Sequence, residues 1–166
     1  MDKIVLLDVN NSKLLHEFAL LPFELYKNDT SWVPPIISEY KKYVSGVGNS
    51  LCDVGPHVKM IAQIDGKTVG RILYGTDDKL NEYKKMKVGY ISQFECIDDY
   101  AVAEKMLDSA KNWFLEKGMD RIKGPLSLPG GEDNRGFITD NFETRTYIMN
   151  TYNKKYYNDF FYKVRF

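Results

Sequence analysis

The chain is poor in the residues that would announce a metal centre, a disulfide scaffold or a membrane anchor. It has two cysteines, Cys52 and Cys96, and two histidines, His16 and His57, in 166 residues. Two thiols are too few to staple a fold and stand at no metal-ligand spacing, and a structural zinc would need both pairs to converge from separate parts of the chain. No stretch approaches the roughly 20 apolar residues needed to span a bilayer, and the opening apolar run meets Asp8 and Asn10 too early for a secretory leader. The cytoplasm is therefore the expected compartment. Charge of one sign is missing as well, because 23 Lys and Arg balance 23 Asp and Glu. That balance removes the electrostatic ground for nucleic acid or an anionic membrane as partner. Repeats and low-complexity tracts are absent.

What is abundant is aromatic. Phe, Trp and Tyr make up 14% of the chain, with 12 tyrosines, and residues 147–166 hold Tyr147, Tyr152, Tyr156, Tyr157, Phe160, Phe161, Tyr162 and Phe166. A tyrosine brings apolar bulk together with a hydroxyl that needs a partner. Such crowding reads either as a packed terminal segment or as an interface or acceptor pocket. Apolar residues at 43% and charged residues at 28% are ordinary for a globular protein, and the length suits one domain over residues 1–166.

The pattern along the chain is mixed. KIVLLD (3–8) reads as a strand. A helix follows from a cap at Ser12 to about Lys27, with Leu14, Leu15, Phe18, Leu21 and Leu25 at helical spacing. Pro22 inside it predicts a kink or a division into two shorter helices. Pro34-Pro35 opens a second helix over 36–44, and the Gly-rich stretch 45–56 is a loop. HVKMIAQI and KTVGRILYG alternate on either side of Asp65-Gly66, a strong hairpin signal. An exposed helix is expected at 77–87, a strand at 88–96 and an amphipathic helix at 100–117. Val102, Met106, Ala110, Trp113, Phe114 and Leu115 line the apolar side of that helix, and Gly118 stops it. A strand starts at Arg121. The stretch 124–136 is a shaped loop, of a length that is often functional, whose Gly130–Gly136 part could bind a phosphate or form a solvated turn. Residues 145–150 read as a strand and 153–163 as a final helix. The whole is an α/β fold, with a mostly antiparallel mixed sheet and one β-α-β unit flanked by helices.

This order, with the strings AQIDGKTVGRILYG and VGYISQFECIDDYAVAEKMLDSAKNWFLEKGMDRIKGP, resembles the GNAT superfamily of acyl-CoA-dependent N-acyltransferases. LPFELYKNDTSWVPP, GRILY, FECIDD, IKGPLS and YNKKYY look like a poorly characterised bacterial branch of GNAT-like proteins. The resemblance covers nearly the whole chain and implies that the fold would continue into a further strand. The sequence then reads as a truncation, a natural fragment or one half of something larger, with an open sheet edge that a second copy could pair with as a homodimer.

The resemblance also implies a site. The family's cofactor loop, Arg/Gln-x-x-Gly-x-Gly/Ala, falls on Asp98-Asp99-Tyr100-Ala101-Val102-Ala103. The amides of Ala101, Val102, Ala103, Glu104 and Lys105 would hold the pyrophosphate of acetyl-CoA or another acyl-CoA at a helix N-terminus. Asp98 stands where a cation or amide is expected. It and Asp99 suit helix capping, which sets their charge against a pyrophosphate. Glu95 would be the general base, its pKa raised among apolar neighbours, or else a solvent-facing residue of the strand. Aligning Phe166 with the family's closing Phe puts Phe161 at the general-acid position, so Tyr157 or Tyr162 would serve instead. Cys96 reads as a buried strand residue rather than a nucleophile. The expected function is transfer of an acyl group from acyl-CoA to a small-molecule or peptide amine. The alternative is a non-catalytic GNAT-like module that binds another ligand or a second chain.

Overall fold

The two alternating strings around Asp65-Gly66 form the middle of the sheet. The computed structural model describes residues 3–48, 52–126, 136–147 and 150–164. In it β1 spans Val5–Asp8, β2 His57–Ile64 and β3 Lys67–Thr76, with Ile64 opposite Lys67. That register leaves a two-residue turn whose φ angles are both positive, 49° at Asp65 and 77° at Gly66, which matches the twist of paired strands. β4 (Val88–Cys96) pairs antiparallel with β3, and β5 (Arg121–Lys123) pairs parallel with β4. Among the described residues the sheet runs β1-β2-β3-β4-β5, antiparallel except at its last pair.

Five helices cover this sheet among the described residues. α1 (Ser12–Leu25) is capped by Asn11, one residue before the expected cap, whose side chain accepts from the Leu14 amide at 3.0 Å. Pro22 does not divide α1, which runs through it as one helix. Proline at this place withdraws the N–H that would bond the Phe18 carbonyl four residues earlier. The Arg71 Nη1 donates to that carbonyl at 2.8 Å instead. α2 (Ile37–Ser45) begins just after Pro34-Pro35 and α3 spans Asp78–Lys84. α4 (Tyr100–Glu116) makes the crossover between the parallel strands, and α5 spans Tyr156–Lys163.

α1 and α2 bury Phe18, Ala19 and Val44 against Ile61, Leu73, Val88 and Tyr90 on one face of the sheet. α4 and α5 cover the other face with Val102, Met106, Leu107, Phe114, Tyr157 and Phe160. Each such large side chain contributes roughly 1.5–3 kcal/mol by leaving water. Gly70 makes the approach of α4 possible, since a Cβ there would lie 2.7 Å from the Met106 Cε. Leu115 does not join this face: it is 63% exposed, being one residue and so about 100° round the helix from Phe114, while Leu107 fills the seam. α5 starts later than expected, at Tyr156. The strand expected at 145–150 does not form at 145–147 or 150, where the backbone is irregular, and 148–149 lie outside the described residues. So do 127–135, which hold most of the expected ligand loop, and 165–166. No helix among the described residues is long and apolar enough to cross a membrane.

Candidate active site

β4 departs from regular pairing where the site begins. Arg71 faces Glu95 while Leu73 faces Ser92, so Gln93 and Phe94 both lie opposite Ile72. Gln93 takes a φ of +52°, a left-handed backbone that costs a non-glycine residue roughly 1 kcal/mol or more. A regular strand would send alternate side chains to opposite faces. With this bulge, Ser92, Gln93, Phe94 and Glu95 all line one cleft of about 560 Å³. Bulges of this kind re-aim side chains at the edges of sites.

Glu95 sits at the floor with its side chain 13% exposed, so it does not point to open solvent. Its Oε2 accepts two hydroxyl hydrogen bonds, from Tyr26 at 2.7 Å and from Tyr157 at 2.9 Å. Its Oε1 lies 3.9 Å from the Arg71 Nη2. Burial raises the Glu95 pKa above the ordinary carboxylate value, and Arg71 together with the two tyrosine hydrogen bonds pulls the other way without cancelling the rise. Burial, then the facing Glu95 carboxylate, push the Tyr26 and Tyr157 hydroxyls far above their ordinary value, so both stay protonated donors.

Arg71 is the other half of this floor and is 2% exposed. Besides the Phe18 carbonyl, it donates to the Tyr40 hydroxyl at 2.6 Å and to the Gln93 Oε1 at 3.2 Å. Its guanidinium lies over the Phe18 ring at 5.0 Å and the Tyr40 ring at 5.6 Å. The Arg71 Nε has no hydrogen-bond partner among the described residues. The site is held from the far side by Asp29, which accepts from Tyr152 at 2.8 Å and pairs with Lys154 at 3.1 Å. Burial opposes the Asp29 charge, yet the hydrogen bonds from Tyr152, Lys154 and the Ser31 amide bring its pKa down overall. Ser31 and Val33 bond the Thr146 side chain and backbone, which draws residues 141–147 over the cleft.

Of the residues singled out from sequence, Glu95 and Tyr157 are brought together. Tyr157 is fully buried, its hydroxyl accepting from the Cys96 amide at 2.9 Å while donating toward Glu95. Tyr162 is not with them: it is 85% exposed and lines a separate hollow of about 330 Å³ with Ile91, Gly124 and Phe161. The two hollows meet along Pro125, Gly136 and Phe137. Cys96 is buried, and burial beside Glu95 and Asp99 drives its thiol pKa far up, which leaves it inert as a nucleophile.

The five cofactor-loop residues form the first turn of α4. Val102 and Ala103 are buried in the core, while Ala101, Glu104 and Lys105 are exposed. Asp99 is the N-cap and its Oδ1 accepts from the Ala101 amide at 2.9 Å. The Lys105 ammonium donates to the Ile4 carbonyl at 2.6 Å. The exposed, small Ala101 gives a pyrophosphate room to approach this turn, and the Asp99 carboxylate occupies one of the amides that would receive it. The turn thus leaves space beside Ala101 for an anion and sets a carboxylate against it. No cluster of three or more metal-ligating side chains occurs among the described residues.

Sequence reading missed Arg71, Tyr26, Tyr40 and Gln93. Two signals pointed to Arg71: an arginine in the middle of the apolar string VGRILYG, and a proline inside a helix that leaves a carbonyl in need of a donor.

The fold has a counterpart among solved structures. A Pyrococcus furiosus protein assigned as an acetyl transferase superposes with a TM-score of 0.51 at 19% identity, over 84% of this chain and 99% of that one. A Clostridium acetobutylicum protein assigned as an acetyltransferase and solved with acetyl-CoA gives 0.48 at 20% identity, over 78% and 84%. The chain has the fold of the GNAT-like acyl-CoA N-acyltransferases. No family model matches it. In sequence it is similar to Protein YghO of Escherichia coli (strain K12), at 28% identity over 147 residues. That match takes in 89% of this chain and 37% of the other protein, so the chain spans little more than a third of that relative's length.

Proposed function

We propose that the protein transfers an acyl group from an acyl-CoA thioester to a primary amine, with Glu95 as the base. The observation that carries this reading is the Glu95 carboxylate. It stands on a bulged central strand at the floor of a cleft, with a raised pKa and one oxygen bound by two tyrosines. A base whose pKa is shifted toward neutrality can take a proton from an ammonium and release it to solvent. Tyr26 and Tyr157 fix Oε2, which leaves Oε1 as the oxygen that receives the proton. Tyr157 acts here as a positioning residue, because its hydroxyl hydrogen is engaged at Glu95.

An acyl-CoA, its pyrophosphate held by Ala101–Lys105, would supply the acyl carbon: the amine nitrogen would bond to it as the C–S bond broke, one ammonium proton passing to Glu95 and a second ending on the departing thiol. The contact of the two hollows along Pro125, Gly136 and Phe137 supports an approach of donor and acceptor from different sides.

The test is release of free CoA thiol from acetyl-CoA in the presence of an amine panel, run beside a thermal-shift titration with acetyl-CoA. Amine-dependent thiol release that Glu95→Gln lowers at least ~100-fold supports the reading. No melting shift at millimolar acetyl-CoA, together with no thiol release, sinks it.

A further inference from the structure

The cleft's walls are rich in aromatic rings. On the side of α1 and α2 the rings form a continuous run. Tyr43 lies 6.5 Å from Tyr40, Tyr40 5.9 Å from Phe23, Phe23 5.3 Å from Trp32, and Trp32 stacks on Tyr26 at 5.0 Å. Of this run Trp32, Tyr40 and Tyr43 line the cleft, and Tyr147 and Tyr152 join them from the C-terminal segment. Val33, Pro34 and Pro35 complete an apolar rim.

Among the described lining residues the ionic groups are Glu95 and Arg71. Arg71 is the more enclosed of the pair, at 2% against 13% for Glu95, and its Nη atoms are turned to Phe18, Tyr40 and Gln93. Of these residues an incoming ligand meets one carboxylate below, with aromatic rings and the side chains of Ser92, Asn150 and Thr151 around it.

Resting on the acyl-transfer reading above, we propose that the acceptor is an aralkylamine: one primary ammonium carried by a short linker on a flat apolar ring. The ammonium meets Glu95, and the ring stacks within the Trp32, Tyr43 and Tyr147 walls, where aromatic pairs contribute beyond their buried area. A linear polyamine would leave its second ammonium among rings and prolines, with no second carboxylate among the described lining residues. Ring faces attract a cation, but they do not replace a paired counter-ion in a desolvated cleft. An amino sugar would bring hydroxyls that need partners. Here the Gln93 carbonyl oxygen already accepts from Tyr40 and Arg71, and the Thr146 hydroxyl is engaged with Ser31 and Val33, so several hydroxyls would have to share Ser92, Asn150 and Thr151.

The experiment is calorimetric titration of the full chain, without any acyl donor, with four probes: 2-phenylethylamine, 2-phenylethanol, putrescine and glucosamine. The expected result is that 2-phenylethylamine binds at least ~10-fold more tightly than each of the others. Tyr147→Ala, at an exposed rim position, and Trp32→Leu should each weaken that binding severalfold while leaving putrescine unchanged. Putrescine or glucosamine binding as tightly as the arylamine overturns the proposal, and so does an arylamine affinity that neither variant alters. The two readings fail separately. Arylamine binding without thiol release from acetyl-CoA sinks acyl transfer and keeps the ligand class. Thiol release driven better by putrescine or glucosamine does the reverse.

Discussion

Glu95 and Asp99 are carboxylates four positions apart in the chain, and the fold places them in opposite regimes. Glu95 is enclosed, and its partners come from far away: Tyr26 on the residue that ends α1, Arg71 on β3, Tyr157 on α5. Asp99 bonds an amide two residues on and owes nothing to the rest of the molecule. Enclosure makes the first carboxylate resist its charge, whereas the second spends an oxygen on capping a helix. The difference teaches that carboxylates on one short segment, at the end of β4 and the start of α4, can divide into an enclosed group, proposed here as the base, and a helix cap. Distance from water and the reach of the tertiary contacts decide between the two.

The sharpest test of the enclosed carboxylate is Glu95→Gln. It keeps shape and hydrogen-bonding capacity while removing the base, so amine-dependent thiol release should fall by ~10²–10⁴-fold, the usual worth of a positioned base. Initial-rate kinetics at saturating amine check it, and an unchanged rate would reduce Glu95 to the level of Asp99, a structural anion. Next in size is Arg71→Met, which strips the counter-ion from a buried pair and the donor from the Phe18 carbonyl that Pro22 leaves without its helical partner. Removing one member of a buried pair costs about 3–5 kcal/mol. Urea unfolding should show that loss in the midpoint, and Asp99→Ala should show far less.

The smaller arms of the Glu95 cluster act through its pKa. Tyr26→Phe deletes a hydrogen bond that lowers the Glu95 pKa, so the folded-state value should rise further above the ordinary carboxylate value. A carboxyl whose folded pKa is raised contributes its stability fully below the unfolded value and loses it as pH rises through the folded one. The variant should therefore be nearly as stable as the parent at pH 4 and about 1 kcal/mol less stable near neutrality. The acid limb of the rate profile should move to higher pH. Melting curves across pH, with the pH–rate profile, read both; a limb that stays put would mean Tyr26 packs without tuning. The groups facing Glu95 are Arg71, Tyr26, Tyr157 and, more distantly, Lys154.

What the sequence disclosed divides along the same line. The Asp65-Gly66 hairpin, β4 over 88–96 and the capped α4 were legible because each depends on local signals: alternation, helical spacing, a turn dipeptide, an aspartate before a helix. Glu95 was legible as a candidate because its strand was. Of its partners Tyr157 was named only beside Tyr162 and through the family resemblance, and Tyr26, 69 positions away, was not named, since no local pattern records which tyrosine of twelve will reach it. The bulge at Gln93 was also hidden. VGYISQFEC alternates well enough to look like a regular strand, and the extra residue is exposed only by the register against β3. Leu115 was misplaced for a simpler reason: a run of apolar residues at 113–115 cannot all share one helical face.

The smallest expected effect tests the exposed carboxylate, and there two substitutions separate cap from charge. Asp99→Asn keeps an oxygen to accept from the Ala101 amide and removes the negative charge, so stability should change by a few tenths of a kcal/mol at most. Asp99→Ala removes both, costs about 1 kcal/mol as a lost cap and frees the amide. If the Asp99 carboxylate is what opposes a pyrophosphate at this turn, both variants should bind CoA several-fold more tightly than the parent. Ala should gain at least as much as Asn despite its lower melting temperature. The expected gain should shrink as salt is raised, because a charge at an exposed helix end is screened. Calorimetric titration with CoA at two ionic strengths reads all of this. Tighter binding in Asn alone would assign the effect to charge and leave the amide out of it. No gain in either variant would show that Asp99 is only a cap, and that the pyrophosphate is received elsewhere along α4.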